Sequence, residues 1–223
     1  MSQNTTSAPS PARFAMSAKR NADSRAKGSS DDREAEVRII GGNFRGRRLN
    51  YHGDPLVRPM KHRTREAIFD LVSTGCKGRH AIDLFAGTGA LGLEAISRGA
   101  TSATFIEKHV PTARVVEENI RLLALENQTE IAITSAFLWA KRDLPPFAAK
   151  ADKPWLVFCS PPYAFYTQRE AEMLDLISRI RAVAPPDSIL IVEAEVPFDF
   201  TIFPGEWDVR TYNPAAVGIW HNI

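Results

Sequence analysis

The chain has 223 residues, 44% of them hydrophobic and 24% charged, with a formal net charge of +2, enough for one soluble α/β domain plus an appendage. No apolar run approaches the roughly 18 residues of a membrane-spanning helix, and the cysteines Cys76 and Cys159, which lack metal-ligand spacing, fit a reduced, cytoplasmic compartment. The near-neutral sum hides a polarity: residues 1–66 carry 14 Lys and Arg against 7 Asp and Glu, the remainder 14 against 19, so a polyanionic partner held by the N-terminal part is expected.

Residues 1–36 are rich in Ser, Ala, Asn and charge and contain little to bury, which predicts a disordered tail. They lack the apolar core of a secretory signal, and Asp23, Asp31 and Asp32 argue against a transit peptide. Residues 37–57 begin with VRIIGGNFRGRRLNY, two short strand-like pieces around Gly41, Gly42 and Gly46 that carry Arg38, Arg45, Arg47 and Arg48. This predicts a basic β-hairpin whose arginines suit the expected polyanionic partner. A domain over residues 58–223 should follow, opened by a helix from His62 to Thr74 with Ile68, Phe69, Leu71 and Val72 at helical spacing and Gly75 as its stop.

From Ala81 strands and helices alternate: AIDLF, ALGLEAISRG, SATFIEK, PTARVVEENIRLLALEN with Pro111 in its first turn, EIAITSAF, WLVFC after a Pro-rich connection, QREAEMLDLISRIRAV and SILIVEAEV. EWDVRTY and AAVGIWH close the chain as a hairpin. The pattern predicts an α/β, Rossmann-like, mostly parallel doubly wound sheet covered on both faces, with antiparallel strands at the C-terminus.

Between the first strand of the alternation and the next helix runs DLFAGTGALG, in which Gly87, Gly89 and Gly92 satisfy G-x-G-x-x-G. Glycine there permits a tight turn and close approach of a ligand to backbone amides. Glu107 ends the following strand, where an acidic side chain can accept from ribose hydroxyls. An adenosine-containing ligand follows. A dinucleotide pyrophosphate wants a helix N-terminus kept free for anions. Asp83, just ahead of the loop, suits an amino group or a sulfonium instead, which favours S-adenosylmethionine over NAD.

The strand LVFC stops at SPPY, residues 160–163. In a doubly wound sheet such a stop lines the ligand crevice. Two prolines stiffen the turn and leave carbonyls free to accept, and Tyr163 offers a face to a flipped base. Acceptors at Ser160 and the Pro161 carbonyl, gripping the N–H bonds of an exocyclic amine, would turn its lone pair toward a methyl donor. No metal is needed; the proton can leave to solvent.

With both motifs placed, the chain resembles the bacterial 16S rRNA guanine-N2 methyltransferases of the RsmD type, class I S-adenosylmethionine-dependent enzymes, from about Val37 to the C-terminus. RIIGGNFRGRRL resembles their basic hairpin, VRPMKHRTREAIFDLV the next segment, DLFAGTGALGLEAISRGA the cofactor loop and TFIEK the ribose-binding strand. The resemblance implies a cofactor shell of Asp83, Phe85, Ala86, Gly87, Thr88, Gly89, Glu107 and Lys108, with Ser135 and Ala136 near the adenine. It implies Ser160, Pro161, Pro162 and Tyr163 as the target-base clamp, and Arg58, Arg65 and Glu66 as residues closing over cofactor or RNA. The implied substrate is 16S rRNA or the assembled small ribosomal subunit, and a monomer is expected.

Two departures stand out. Ser160 occupies the place where the family usually has Asp or Asn, and Ser135 and Ala136 stand where an acidic residue often meets the adenine amine. Serine can accept a hydrogen bond but carries neither a negative charge nor a second oxygen. An adenine-N6 or protein-glutamine methyltransferase, a catalytically silent RNA-binding module and, more distantly, a nicotinamide dehydrogenase are the alternatives the residues leave open.

Overall fold

The computed structural model describes residues 37–53 and 60–223; the expected tail over residues 1–36 and Arg58 lie outside the described residues. A two-stranded antiparallel ribbon of β1 (Val37–Arg38) and β2 (Arg48–Leu49) opens it, followed by α1 (His62–Val72) and a 3-10 turn over Ser73–Cys76 that contains Gly75. The expected alternation then appears as β3 (His80–Asp83), α2 (Ala90–Ser97), β4 (Ser102–Ile106), α3 (Val110–Leu122) and β5 (Thr129–Ala132). It continues through α4 (Ala136–Arg142), α5 (Leu144–Ala148), β6 (Trp155–Cys159), α6 (Phe165–Gln168), α7 (Glu170–Val183) and β7 (Ile189–Glu195), and closes with β8 (Asp208–Tyr212) and β9 (Ala215–His221).

The seven main strands lie in the order β5-β4-β3-β6-β7-β9-β8. Strands β3 to β7 run parallel to one another, and β9 inserts antiparallel between β7 and β8. The order turns back at β3 and β6, where a doubly wound sheet opens its ligand crevice. Period-2 alternation divides the core. Leu156, Phe158, Ile189 and Ile191 face α1, α2 and α3 through Phe69, Leu93 and Val116. Val157, Cys159, Leu190 and Val192 face α4, α5 and α7 through Trp139, Leu144 and Ile177. Both faces are covered, which is why WLVFC reads as an unbroken apolar run.

Two predicted elements are corrected. The strand expected through Phe137 ends at Ala132, because Ser135 accepts a hydrogen bond from the Leu138 amide at 3.2 Å and caps α4 instead. The Pro-rich connection is helical: α5 carries proline in its first turn, where the missing N–H costs nothing. Among the described residues no helix is long and apolar enough to cross a membrane.

Candidate active site

Three adjacent strands carry a polar side chain on one face toward their carboxyl edge. Asp83 of β3 follows Ala81, Ser160 follows Phe158 of β6, and Glu193 of β7 follows Ile191, so each shares the face of the α1–α3 layer. The registers Asp83↔Phe158 and Cys159↔Val192 put Ser160 and Glu193 side by side at the carboxyl edge, one residue beyond Cys159 and Val192.

The glycine loop joins β3 to α2. Gly89 has φ 78°, a left-handed conformation that L side chains rarely adopt, and it is the N-cap of α2. Gly92 answers another requirement: a Cβ there would stand 2.4 Å from the buried ring of Phe105, so α2 reaches β4 only because the side chain is absent. Glu107 is held beside the loop, one carboxylate oxygen accepting from the Gly87 amide at 3.0 Å and the other from the His109 amide at 2.9 Å. Asp83 Oδ2 accepts from the Gly92 amide at 3.2 Å, while Oδ1 is buried with no hydrogen-bond partner. Burial pushes the Asp83 carboxyl up to about 7, the Gly92 and Phe85 amides opposing and the Glu107 charge adding to the rise. A buried carboxylate with an open acceptor, beside a second carboxylate and a glycine turn, suits a cationic adenosine ligand.

At the end of β6 the clamp is organised by a residue that the sequence reading missed. Ser160 donates its hydroxyl to Glu193 Oε2, Tyr163 donates to Glu193 Oε1 at 2.9 Å, and Tyr166 donates to the Glu193 backbone carbonyl at 2.7 Å. Glu193 is 6% exposed. Burial pushes its carboxyl up, with the Ser160 and Tyr163 hydroxyls opposing. The signal was a charged residue inside the apolar run SILIVEAEV, which has no structural reason to be there without partners. Ser160 and Tyr163 are half-buried, Pro161 buried and Pro162 exposed.

Phe85 lies edge-on to Phe137 and Phe165 at 6.0 and 6.2 Å, and the Lys108 ammonium stands over Phe165 at 5.5 Å, so Phe85 and Lys108 share one aromatic neighbour. Ala86 is buried and its amide donates to the Ile106 carbonyl, fixing the loop to β4. Thr88 is buried, and its carbonyl accepts from Asn119. Ser135 caps α4 by accepting from the Leu138 amide, which leaves its O–H and a second lone pair uncommitted by that bond, and Ala136 is 2% exposed. Arg38, Arg45, Arg47 and Arg48 are exposed on the ribbon, while Val37, Ile39 and Leu49 face the core.

Arg65 lies beneath the ribbon, not on its surface. It is 2% exposed, its guanidinium donates to the Arg38 carbonyl at 2.6 Å, and burial lowers its pKa against the attraction of Glu94. It supports the ribbon through that bond, while its Nε is buried with no hydrogen-bond partner, and its neighbour Glu66 is exposed. The ribbon is also fastened by buried residues with no basic or aromatic signature. Glu94 of α2 accepts from the Ile40 and Gly41 amides at 2.6 and 2.7 Å, and Asn119 of α3 bonds Asn50 on one side and the Thr88 carbonyl on the other.

Residues 37–214 match the family model described as conserved hypothetical protein 95. The chain is 30% identical over 181 residues to "Ribosomal RNA small subunit methyltransferase D" of Escherichia coli, covering 81% of this chain and 86% of that one. It is 34% identical over 132 residues to the protein of the same name from Buchnera aphidicola, covering 59% of this chain and 65% of that one. Among solved structures, the methyltransferase-type chain yhhF of Escherichia coli superposes with a TM-score of 0.66 at 26% identity, over 84% of this chain and 98% of that one.

Proposed function

The chain belongs to the conserved hypothetical protein 95 family, that of the RsmD-type ribosomal RNA small-subunit methyltransferases, and on that premise we propose that it methylates the exocyclic N2 amine of a guanine in 16S rRNA. It is a methyltransferase of the S-adenosylmethionine-dependent class acting on ribosomal RNA; guanine and its N2 atom are the finer reading. The observation that carries this reading is the bonding of Ser160 to Glu193 on neighbouring strands, on the same sheet face as Asp83 of the adjoining strand.

The residues fit the cofactor. The unpartnered Oδ1 of Asp83 is a buried acceptor for a cationic group, and Glu107, oriented by two backbone amides, keeps further lone pairs for ribose hydroxyls. S-adenosylmethionine, when bound, supplies an electrophilic methyl group on a positively charged sulfur. The protein supplies orientation. An exocyclic amine is a poor nucleophile because its lone pair is delocalised into the ring; Ser160 Oγ and the Pro161 carbonyl, accepting from its two N–H bonds, turn the lone pair out of the ring plane. Tyr163 gives the flipped base a ring to stack on. The exposed arginines of the β1–β2 ribbon engage phosphates, which position the RNA without reading its sequence.

Transfer of labelled methyl from S-adenosylmethionine to small ribosomal subunits of a strain lacking this gene, followed by nucleoside mass spectrometry, tests the reading. N2-methylguanosine in 16S rRNA is the expected product. N6-methyladenosine, or label in protein, would overturn the guanine assignment.

A further inference from the structure

Glu193 stands in the apolar strand β7, and a buried carboxylate is costly unless its oxygens are satisfied. Both oxygens are satisfied by the clamp itself, Oε2 by Ser160 and Oε1 by Tyr163. The groups that face it are these two hydroxyls; the Cys159 thiol and the Tyr166 phenol lie toward the other face of the sheet, the phenol on the Glu193 backbone carbonyl, and Val217 opposite it on β9 adds no charge. Resting on the amine-methylation reading, we propose that Glu193 is the positioning residue of the clamp and the final acceptor of the amine proton. By taking the Ser160 hydrogen it leaves Ser160 Oγ as a pure acceptor toward the amine. Serine and glutamate together then do what one acidic side chain at position 160 would do.

The balance closes. As the amine nitrogen's lone pair forms the N–C bond, the electron pair of the breaking S–C bond stays on sulfur. The nitrogen, left with one proton in excess, passes it to Ser160 Oγ while the serine hydrogen moves to Glu193 Oε2. A neutral methylated amine, a neutral serine and a neutral carboxylic acid remain, and the acid returns its proton to solvent by way of the same serine. Burial, which disfavours the charged carboxylate, eases this transfer.

The test is a mutant cycle on small-subunit particles in single-turnover assays, with S-adenosylhomocysteine affinity by calorimetry and thermal unfolding measured beside it. Glu193→Gln and Ser160→Ala should each slow methyl transfer about 100-fold and leave S-adenosylhomocysteine binding intact. The double variant should be no slower than either single one, because the two side chains act as one unit. Ser160→Asp alone should give no gain, since it places two carboxylates side by side. Ser160→Asp combined with Glu193→Gln should recover most of the rate, which a merely structural role for Glu193 would not produce. Wild-type rates in Glu193→Gln, or no recovery in the combined variant with S-adenosylhomocysteine still bound, would overturn the proposal. Absence of N2-methylguanosine with the wild-type chain would instead overturn the reading on which it rests.

Discussion

Asp83 should make the stability of the ligand-free protein fall as pH rises. Its carboxyl is 1% exposed and stands at about 7 in the fold against 3.8 for the ordinary group. A raised folded value means that the native state holds the proton more tightly than the unfolded chain. Stability from this group is therefore fully present below about 4 and is lost as pH rises through about 7. The gap of about 3 units corresponds to about 4 kcal/mol, at about 1.4 kcal/mol per unit. Asp83→Asn removes the titration while its side-chain oxygen can still accept from the Gly92 amide. Urea unfolding of both proteins between pH 4 and pH 8 should show equal stabilities at the acid end. At pH 8 the variant should be the more stable by an amount approaching about 4 kcal/mol. The same variant should bind S-adenosylmethionine more weakly, since the charge is what a cationic ligand meets. Parallel pH profiles for the two proteins would refute the reasoning, because they would mean that Asp83 ionises in the fold as easily as in the unfolded chain.

The remaining expectations concern packing, stacking and charge. Gly92→Ala forces a methyl group to within 2.4 Å of Phe105, a ring with 0% exposure and no room to yield, so a loss of about 1–3 kcal/mol is expected in urea unfolding. Tyr163→Ala should slow single-turnover methylation about tenfold to hundredfold, as loss of a base-stacking ring does. Tyr163→Phe should lose less, since it keeps the ring and gives up only the hydrogen bond to Glu193; equal losses in the two would refute stacking. RNA affinity should fall with salt, and Arg45→Gln should reduce the slope of log K against log salt by about 1, whatever the RNA sequence; an unchanged slope in filter-binding assays would remove Arg45 from the interface.

Much of the fold could be read from the residues because the sheet is buried on both faces. A parallel strand covered twice must be apolar throughout, and AIDLF, WLVFC and SILIV announce themselves for that reason. The glycine loop was equally plain, since Gly89 and Gly92 are each required by geometry, one by a left-handed turn and one by the Phe105 ring. Less legible was the end of β5: Ile131, Ala132, Ile133 and Thr134 would extend a strand by propensity, but the Ser135 hydroxyl claims the Leu138 amide and starts a helix. Propensity lost there to a single capping bond. The burial of Arg65 was not legible either. A basic residue in a basic segment invites a phosphate, and nothing in its neighbours announces that the guanidinium would be buried under the Arg38 carbonyl.

Glu193, Glu94 and Asn119 share a reason for being missed: the bonds that tie Glu193 to Ser160 and Tyr163, and Glu94 and Asn119 to the ribbon, join residues 30 or more apart in the chain. Their placement explains how a short ribbon, with only two pairs of residues in register, can serve a chemical site. An isolated two-stranded ribbon is marginal in water. Here Glu94 holds the Ile40 and Gly41 amides from α2, the helix that the glycine loop begins. Asn119 binds Asn50 at one edge and the carbonyl of Thr88, inside the glycine loop, at the other. The exposed arginines are thus carried on a piece of chain bolted to the same loop that turns beside Asp83. Under the proposed reading, phosphates engaged by the ribbon would be held at a fixed offset from that loop and from the strand ends beside it. The offset, not base reading by the ribbon, would decide which nucleotide can reach Ser160. That division of labour needs buried carboxylate and amide side chains more than it needs additional arginines.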